Sequence, residues 1–404
     1  MDLYQQIFNK HLTTIQQQGR YRIFVELERT IGHLPYATYQ GKSVVVWCSN
    51  DYLGMSQHAS VIQAMQEALQ KAGAGSGGTR NISGTQHYHR ELEQELAGLH
   101  HKPAALLFSS GYVANQATLS TLAGKLPDCM IFSDSENHAS LIHGIRESKA
   151  DRQIFKHNDL AHLEQLLSSI PLERPKIIVF ESVYSMSGDI APIKEIVALA
   201  KRYRALTYLD EVHGVGLYGK EGGGVAEALG LQDEIDIICG NFGKTYGVMG
   251  GYIAAAAVTV DFVRSFAGPF IFTTSLPPVL TAGALASIRH LRHSQTERQA
   301  LHQTVQKVKA ALSAADIAFI DNSSHMIPIL IGNAAHCQAI SQGLLQDHGI
   351  YVQAVNYPTV PMGTERFRVT PTPFHNDTMI AQLVRGLQET YAKFGFMYTH
   401  REAR

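Results

Sequence analysis

The feature that most constrains the fold is a regular alternation of short apolar runs with amphipathic segments. The apolar runs predict strands over residues 104–108, 130–132, 153–155, 176–180, 206–209 and 235–239. The segments between them carry apolar residues at helical spacing and predict helices over 141–147, 160–167 and 193–203. Strands that alternate with helices in this way form a mostly parallel sheet covered by helices on both faces. We therefore predict an α/β fold for the larger part of the chain.

The pattern changes near residue 294. A long polar helix over 295–314 is followed by predicted strands at 318–320, 327–331 and 350–355 and by a last helix over 377–394. This mixture is typical of a smaller α+β unit. At the other end, apolar residues recur at helical spacing over 1–31. We predict an N-terminal arm (1–48), a large domain (49–293) and a C-terminal α+β domain (294–404), of which 398–404 is frayed.

Composition excludes several classes of protein. The 34 basic and 35 acidic residues give a net charge of −1, without the basic excess of a nucleic-acid-binding protein. No apolar window is long enough for a membrane span, and MDLYQQIFNKHL lacks the apolar core of a signal peptide. The histidines are scattered and the four cysteines form no CxxC pair. We predict a cytoplasmic protein with no nucleic-acid or membrane partner and no metal.

Chemically capable side chains follow two of the predicted strands. Asp210 and His213 come after strand 206–209, and Lys244 follows strand 235–239 between small residues. Ligands bind at the carboxyl ends of strands in open α/β sheets. This arrangement is the one expected if Lys244 holds an aldehyde cofactor as a Schiff base while Asp210 tunes its ring nitrogen. Taken alone, each residue favours the simpler interpretation of a surface lysine or an acidic strand end, and only the combination indicates a cofactor site.

Two other segments have the composition of ligand-binding loops. The glycine-rich run 73–85 contains Thr79, Arg80 and Asn81, and it is either a flexible linker or a loop whose backbone approaches a ligand closely. We favour the second interpretation because of these polar residues. The small residues from Ser110 begin a helix, where backbone N–H groups bind phosphate well, although a simple helix cap has the same composition.

Taken in order, these segments resemble the pyridoxal-phosphate-dependent α-oxoamine synthases of fold type I. The resemblance extends from residue 19 to residue 371. Its motifs are CSNDYLGM (48–55), GAGSGGTRNISGT (73–85), SDSENHAS (133–140), ESVYSM (181–186), YLDEVHGVGLYG (208–219), GKTYGVMGGY (243–252) and NYPTVPMGTERFRVTPTP (356–373). It implies a seven-stranded, mostly parallel sheet in the large domain and a homodimer with active sites at the subunit interface.

The resemblance also implies a pyridoxal 5'-phosphate site. Lys244 would carry the cofactor and act as the catalytic base, Asp210 would pair with the ring nitrogen, and His138 would stack on the ring. The other implied cofactor contacts are Ser185 and His213 to the ring oxygen, Ser110, Gly111 and Tyr112 to the phosphate, and Thr273 and Thr274 from the neighbouring subunit. Asn241 stands where the family commonly has a phosphate-binding threonine, so we expect binding with altered geometry.

The implied substrates are glycine and succinyl-CoA, which condense with release of CoA and carbon dioxide. Asn50 and Arg368 would hold the carboxylate of glycine, because the planar guanidinium of arginine matches a carboxylate. The implied acyl-CoA contacts are Arg22, Thr79, Asn81, Ile82, Ser133 and Thr359. The segment 358–364 is either a lid over the acyl chain or an ordinary surface loop.

Two alternatives stay open. Another α-oxoamine synthase, such as one making 8-amino-7-oxononanoate or 2-amino-3-ketobutyrate, would differ in its acyl-CoA. A catalytically silent regulatory subunit would belong to a different class of function. Such a subunit is expected to lack the Schiff-base lysine, whereas Lys244, Asp210 and His138 are all present.

Overall fold

In the computed structural model, which describes residues 2–396, short strands alternate with longer helices. The strands are β1 (Tyr36–Tyr39), β2 (Lys42–Val46), β3 (Ala104–Phe108), β4 (Met130–Asp134), β5 (Asp151–Phe155), β6 (Lys176–Glu181), β7 (Leu206–Asp210), β8 (Ile237–Asn241), β9 (Gly251–Ala255), β10 (Ile327–Leu330), β11 (Ile350–Tyr351), β12 (Ala354–Val355) and β13 (Arg366–Val369).

The helices include every helix that the sequence predicted between residues 141 and 203. They are α1 (Leu3–Gln17), α2 (Ala59–Ala72), α3 (His87–Leu99), α4 (Gly111–Lys125), α5 (Ala139–Ser148), α6 (Leu160–Ser168), α7 (Ile193–Tyr203), α8 (Val225–Ala228), α9 (Ala257–Phe266), α10 (Gly268–Ile271), α11 (Pro278–His293), α12 (Thr296–Ala314), α13 (Ala334–His348) and α14 (Asp377–Lys393). Among these described residues, no helix has both the length and the apolar character needed to cross a bilayer.

The described residues fall into two compact units. The sheet unit consists of Leu53–Ser185 and Asp189–Arg298. The terminal unit consists of the residues up to Tyr52, of Met186–Gly188, and of the residues from Gln299 onward. The predicted three-part division at residues 48 and 293 stays a prediction, because two compact units do not identify a separate arm. The predicted fraying of 398–404 lies outside the described residues.

The sheet unit is built on a seven-stranded sheet in the order β3-β9-β8-β7-β6-β4-β5. The pairs among β5, β4, β6, β7 and β8 are parallel, and β9 runs antiparallel to both of its neighbours. The predicted mostly parallel seven-stranded sheet is therefore confirmed. The prediction omitted β9, whose sequence GYIAA contains only one β-branched residue.

The central strands are buried because helices cover the sheet. All six residues of β6 are buried, as are the last four of β7. Ile177, Val179 and Tyr208 pack in one apolar cluster with residues of α4 and α9. Each such side chain removed from water contributes roughly 1.5–3 kcal/mol. The burial fixes the strands, and thereby the polar residues that follow at their carboxyl ends.

The terminal unit contains two three-stranded sheets, in the orders β1-β2-β11 and β10-β13-β12, so the predicted α+β character is confirmed. The predicted strand over 350–355 is in fact two strands: β11 pairs with β2, whereas β12 pairs with β13. The predicted strand at 318–320 is wrong. That segment makes one ladder-like bond, from Ile320 N to Pro328 O (2.8 Å), and no strand forms.

Only the first part of the N-terminal segment with helical spacing forms a helix. Helix α1 ends at Gln17, and residues 20–27 have no regular structure. Gly19 has φ +63°, a left-handed conformation that ends the helix readily because glycine has no Cβ. The apolar spacing over 23–31 therefore does not correspond to a helix.

Candidate active site

Asp210 ends β7 and is held by a buried hydrogen-bond network. Its carboxylate oxygens accept from Val212 N (2.8 Å) and from Asn115 Nδ2 (2.7 Å), and Tyr208 OH donates to Asn115 Oδ1 (2.9 Å). The side chain is buried, with 4% of the residue exposed. Because both oxygens are fixed by donors from different elements, the carboxylate has one orientation and can face a cationic ring nitrogen with its remaining lone pairs.

Glu181 ends the neighbouring strand and pairs in register with Asp210. Burial and the nearby Asp210 carboxylate raise the pKa of Glu181 well above its usual range, although the His138 N–H and Lys244 act in the opposite direction. Glu181 Oε1 accepts from His138 N at 2.6 Å. Two carboxyl groups this close favour one ionised and one protonated member. We therefore assign the proton to Glu181.

His138 begins α5 and presents an exposed ring whose orientation is fixed at one edge. Its Nδ1 accepts from Ser140 N (3.2 Å) and lies 2.8 Å from Ser140 Oγ. Ser140 Oγ also accepts from Asn115 Nδ2 at 3.0 Å. The histidine and Asp210 thus share one hydrogen-bond network, and an accessible ring face is available for stacking on a planar ligand.

The structure brings seven of the predicted cofactor residues to one small cavity. Lys244 and His213 contribute from the segments after β8 and β7, and His213 is buried. The predicted residues that line this cavity are Gly111, Tyr112, His138, Asp210, His213, Asn241 and Lys244. An amine, an imidazole and a carboxylate therefore meet at the carboxyl edge of the sheet, as the parallel-sheet argument requires.

The start of α4 offers donors suited to a phosphate. Ser110 caps the helix by accepting from Val113 N at 3.1 Å, and the N–H groups of Gly111 and Tyr112 in the first turn have no intrahelical acceptor. A Cβ on Gly111 would lie 2.9 Å from Asn241 Cβ, and one on Gly251 would lie 2.4 Å from Gly111 N. Only glycine fits at these two positions, so the backbone is left accessible.

The side-chain amide of Asn241 is suited to bind a ligand. Within the described part of the chain, its buried Oδ1 has no hydrogen-bond partner. Its Nδ2 donor lies toward the start of α4, 3.5 Å from the position of a Cβ on Gly111. The donor set and this buried amide fit a phosphate group, and Asp210 fits a pyridinium nitrogen.

Of the predicted site residues in the sheet unit outside the glycine-rich run, five do not line this cavity: Ser110, Ser133, Ser185, Thr273 and Thr274. Ser133 is buried and accepts from Asn137 Nδ2 at 2.9 Å, and Ser185 is half-buried in the segment after β6. Thr273 and Thr274 are exposed and line a different small cavity. In this chain the two threonines are therefore separate from the cavity that contains Lys244.

The glycine-rich run is a packed loop. Ser275 Oγ donates to Gly78 O (2.9 Å) and Gly84 O (2.7 Å), and a Cβ on Gly84 would lie 2.2 Å from Gly78 O. Arg80 makes a two-pronged ion pair with Glu93 at 2.7 and 3.1 Å. On the same loop, Thr79 Oγ1 donates to Asn81 Oδ1 (2.7 Å) and Ile82 is 68% exposed.

Within the terminal unit, two predicted pairs are in contact. Arg368 Nη2 donates to Asn50 Oδ1 at 2.6 Å, and Tyr52 OH donates to the same oxygen at 3.3 Å. Arg22 Nη2 donates to Thr359 Oγ1 at 3.1 Å. Arg22 is exposed and Arg368 is half-buried beside the exposed Asn50. Both guanidinium groups have the planar geometry that suits an anionic ligand.

The family model described as aminotransferase class I and II matches residues 42–387. The chain is 54% identical over 394 residues to 5-aminolevulinate synthase from Rhizobium meliloti strain 1021, a match that covers 96% of this chain and 98% of that protein. The chain belongs to the 5-aminolevulinate synthase family. Membership covers both units, because the match extends over nearly the whole length.

Solved structures similar to this member of the 5-aminolevulinate synthase family have the same fold. A structure of SPT with PLP has a TM-score of 0.91 at 33% identity, covering 98% of this chain and all of that chain. Serine palmitoyltransferase from Sphingomonas wittichii also has a TM-score of 0.91, at 30% identity and the same coverage. These neighbours confirm the predicted fold type I architecture.

Sequence reasoning did not assign Asn115, Ser140 or Glu181 to the site of this 5-aminolevulinate synthase relative, although all three line the cavity. Glu181 had a signal that could have found it, because it follows an apolar strand directly, as Asp210 does. Asn115 lies inside a helix, where nothing in the sequence distinguishes it from a packing residue. Ser140 ends the motif SDSENHAS (133–140), which is a signal that could have found it.

Proposed function

We propose that this protein condenses glycine with succinyl-CoA to give 5-aminolevulinate, CoA and carbon dioxide. The observation that carries the proposal is the 54% identity, over nearly the full chain, to a curated 5-aminolevulinate synthase. The reaction forms a bond between the glycine Cα and the thioester carbonyl carbon. The carbon–sulfur bond breaks, CoA leaves as the thiol, and the glycine carboxyl group leaves as carbon dioxide.

The cavity at the sheet edge is the proposed site of pyridoxal 5'-phosphate. When bound, this cofactor supplies an aldehyde for a Schiff base and a protonated ring that accepts electrons from the substrate Cα. Ser110, Gly111, Tyr112 and Asn241 would hold its phosphate by the donors at the start of α4. Asp210 would keep the proton on the ring nitrogen, with its carboxylate oriented by Asn115 and Val212.

Lys244 is the proposed base, since its amine lines the cavity and can take the proton from the glycine Cα. His138 would stack on the cofactor ring, and its position is fixed through Ser140 and Glu181. His213 would donate to an oxygen of the ring or of the thioester carbonyl. Ser185 stays a predicted contact of the ring oxygen.

Glycine is proposed to bind through its carboxylate to Arg368 and Asn50. The guanidinium of Arg368 already donates to an oxygen acceptor, Asn50 Oδ1, at 2.6 Å. A planar guanidinium binds a carboxylate by two parallel hydrogen bonds, and the amide of Asn50 adds a donor once it turns.

The acyl group is proposed to be recognised by Arg22, together with Thr359. Solved neighbours include serine palmitoyltransferases with the same fold, so the fold alone does not select the acyl chain. A distal carboxylate needs a cation, and the exposed Arg22 guanidinium supplies one beside the Thr359 hydroxyl. The assignments of Thr79, Asn81, Ile82 and Ser133 to this substrate stay predictions, as does a lid over 358–364.

The active form is proposed to be a homodimer. Thr273 and Thr274 are exposed and separate from the lysine cavity of their own chain, which supports a role toward a second copy. A cytoplasmic location stays a prediction.

The test is a turnover assay of the purified holoenzyme with glycine and a panel of acyl-CoAs: succinyl, butyryl, pimeloyl, acetyl and palmitoyl. Succinyl-CoA and butyryl-CoA have acyl chains of equal length and differ in the terminal carboxylate. We expect kcat/KM for succinyl-CoA to exceed that for butyryl-CoA by about 100-fold or more, because a site built for a charged group discriminates more strongly than a methylene mismatch does. Preference for an uncharged or a longer acyl chain would overturn the assignment and favour another α-oxoamine synthase.

A further inference from the structure

Away from the cofactor cavity, three potential metal ligands from different parts of the chain meet in the sheet unit. His58 precedes α2, His290 lies in the last turn of α11, and Glu297 lies in the first turn of α12. One ligand atom from each lies within 4.8 Å of the other two. The sequence predicted no metal, because its histidines are scattered and show no metal-ligand spacing.

The geometry is close to that of a first coordination shell. The His58 and His290 rings have centroids 4.2 Å apart, and His290 Nε2 lies 2.7 Å from Glu297 Oε1. Two histidines and one carboxylate form a common ligand set for zinc, with metal–ligand bonds of about 2.0–2.2 Å and a water in the fourth position. Tetrahedral ligands at these lengths are about 3.3 Å apart, so small side-chain movements suffice.

Hydrogen bonds already orient two of the three ligands. His58 Nδ1 lies 2.8 Å from Ser60 Oγ, which leaves Nε2 for a metal. Ser294 Oγ donates to Glu297 Oε2 at 2.6 Å, which leaves Oε1. Outer contacts of this kind fix the ring tautomer and the carboxylate orientation at metal sites. The side chains of His290 and Glu297 are 27% and 20% exposed, so an ion from solvent can reach them.

We propose that His58, His290 and Glu297 form a binding site for a divalent transition metal, with Zn²⁺ as the ion of best fit. The ion would join α2, α11 and α12 beneath the loop that carries Lys244. Within that loop, Gly247 N donates to Lys244 O at 2.9 Å, and a Cβ on Gly247 would lie 2.1 Å from Ser56 N, two residues before His58. Gly283 on α11 packs against Val248 and Met65. The site would therefore stabilise the support of the catalytic lysine without touching the reaction.

The test uses the tag-free, full-length protein after treatment with a chelator and dialysis. Zn²⁺ binding is measured by calorimetry and Co²⁺ binding by absorption spectroscopy. We expect one ion per chain, a Co²⁺ spectrum without thiolate charge transfer, and a thermal midpoint raised by Zn²⁺. His58→Asn and Glu297→Gln should each weaken binding by about 100-fold or more. Gln at 297 retains an acceptor for Ser294, so this variant also serves as the folding control.

His293→Asn is the matched control, because His293 is an exposed histidine one turn along α11 and should leave binding unchanged. The absence of stoichiometric binding by the wild-type protein would overturn the proposal. So would binding that survives in both ligand variants, or a thiolate band that assigns the metal to a cysteine. Loss of binding in His157→Asn alone would place the ion at the separate group of Glu136, His157 and Asp189.

Discussion

The residues at the carboxyl edge of the seven-stranded sheet and the arginines of the terminal unit are held in opposite ways. Asp210 is buried, and its two oxygens accept from two different donors. Arg22 is exposed and makes one bond, to Thr359, and Arg368 meets Asn50 on an exposed side chain. The buried network fixes groups that are proposed to act on the cofactor. Arg22 is exposed and Arg368 is half-buried, and both are suited to recognising the particular substrates, because their contacts can be exchanged for ligand contacts.

The largest expected effect is at the buried residue Asp210. Asp210→Asn should lower turnover by about 10³-fold, because the neutral amide no longer keeps a proton on the cofactor nitrogen. KM for succinyl-CoA should change little, since Asp210 contacts neither acyl chain nor CoA. Turnover and KM in steady state are the measurement. Glu195→Gln, an exposed acid on α7, is the control, and activity of Asp210→Asn within tenfold of wild type would contradict the assignment.

A smaller and more selective effect is expected at the exposed residue Arg22. Arg22→Gln should lower kcat/KM for succinyl-CoA by about 10- to 100-fold, the contribution of a hydrogen-bonded charge pair. Turnover of butyryl-CoA should stay nearly constant, so the preference between the two substrates collapses. Arg29→Gln is the control, because Arg29 is an exposed arginine in the same segment. An equal loss with both acyl-CoAs would assign Arg22 a structural role instead.

The smallest effect concerns the stability of the buried network. Because the pKa of Glu181 is raised by burial and by Asp210, the folded state keeps a proton that the unfolded state releases above a pH of about 4.5. Stability must therefore fall as the pH rises above that value. Glu181→Gln removes this dependence while keeping an acceptor for His138 N. We expect the variant to gain roughly a few degrees in thermal midpoint relative to wild type between about pH 5 and pH 8.

The decisive observation is the direction in which the difference in thermal midpoint between Glu181→Gln and wild type changes with pH. A variant whose midpoint falls relative to wild type as the pH rises would mean that Glu181 is ionised in the folded protein. The matched control is Glu195→Gln, which replaces an exposed acid of α7 that lies outside the buried network.

The sheet edge and the terminal unit differ in how much of their structure could be predicted from the sequence, and the reasons are physical. The strands at the sheet edge were predicted because each is an apolar run that ends in polar residues, as in Leu206–Asp210. Strand β9 was omitted because Gly and Ala dominate it, yet Gly251 is the residue that lets the start of α4 approach the sheet. Whether such a segment forms a strand depends on the strands with which it pairs, and its own sequence does not identify those strands.

Side-chain contacts explain the other differences between the prediction and the structure. Lys244, Asp210 and His138 were assigned because each stands in a recognisable motif. Asn115 was not, since its role arises from a contact with Asp210, which is distant in sequence. Ser140 was not assigned either, although it ends the motif that contains His138 and lies two residues after that histidine. The predicted strand at 318–320 failed for a related reason: an apolar tripeptide resembles a strand, but only one ladder bond forms there.

Borohydride reduction of the holoenzyme, followed by peptide mapping, tests the central claim most directly. Reduction fixes a Schiff base as a stable secondary amine on the lysine that carries the cofactor. The account predicts one pyridoxyl label per chain, on Lys244, and none on Lys244→Ala, with Lys194→Ala labelled like wild type because Lys194 is an exposed lysine on α7. A label on any other lysine, or no label on a folded protein supplied with pyridoxal phosphate, would contradict the account and favour a catalytically silent subunit.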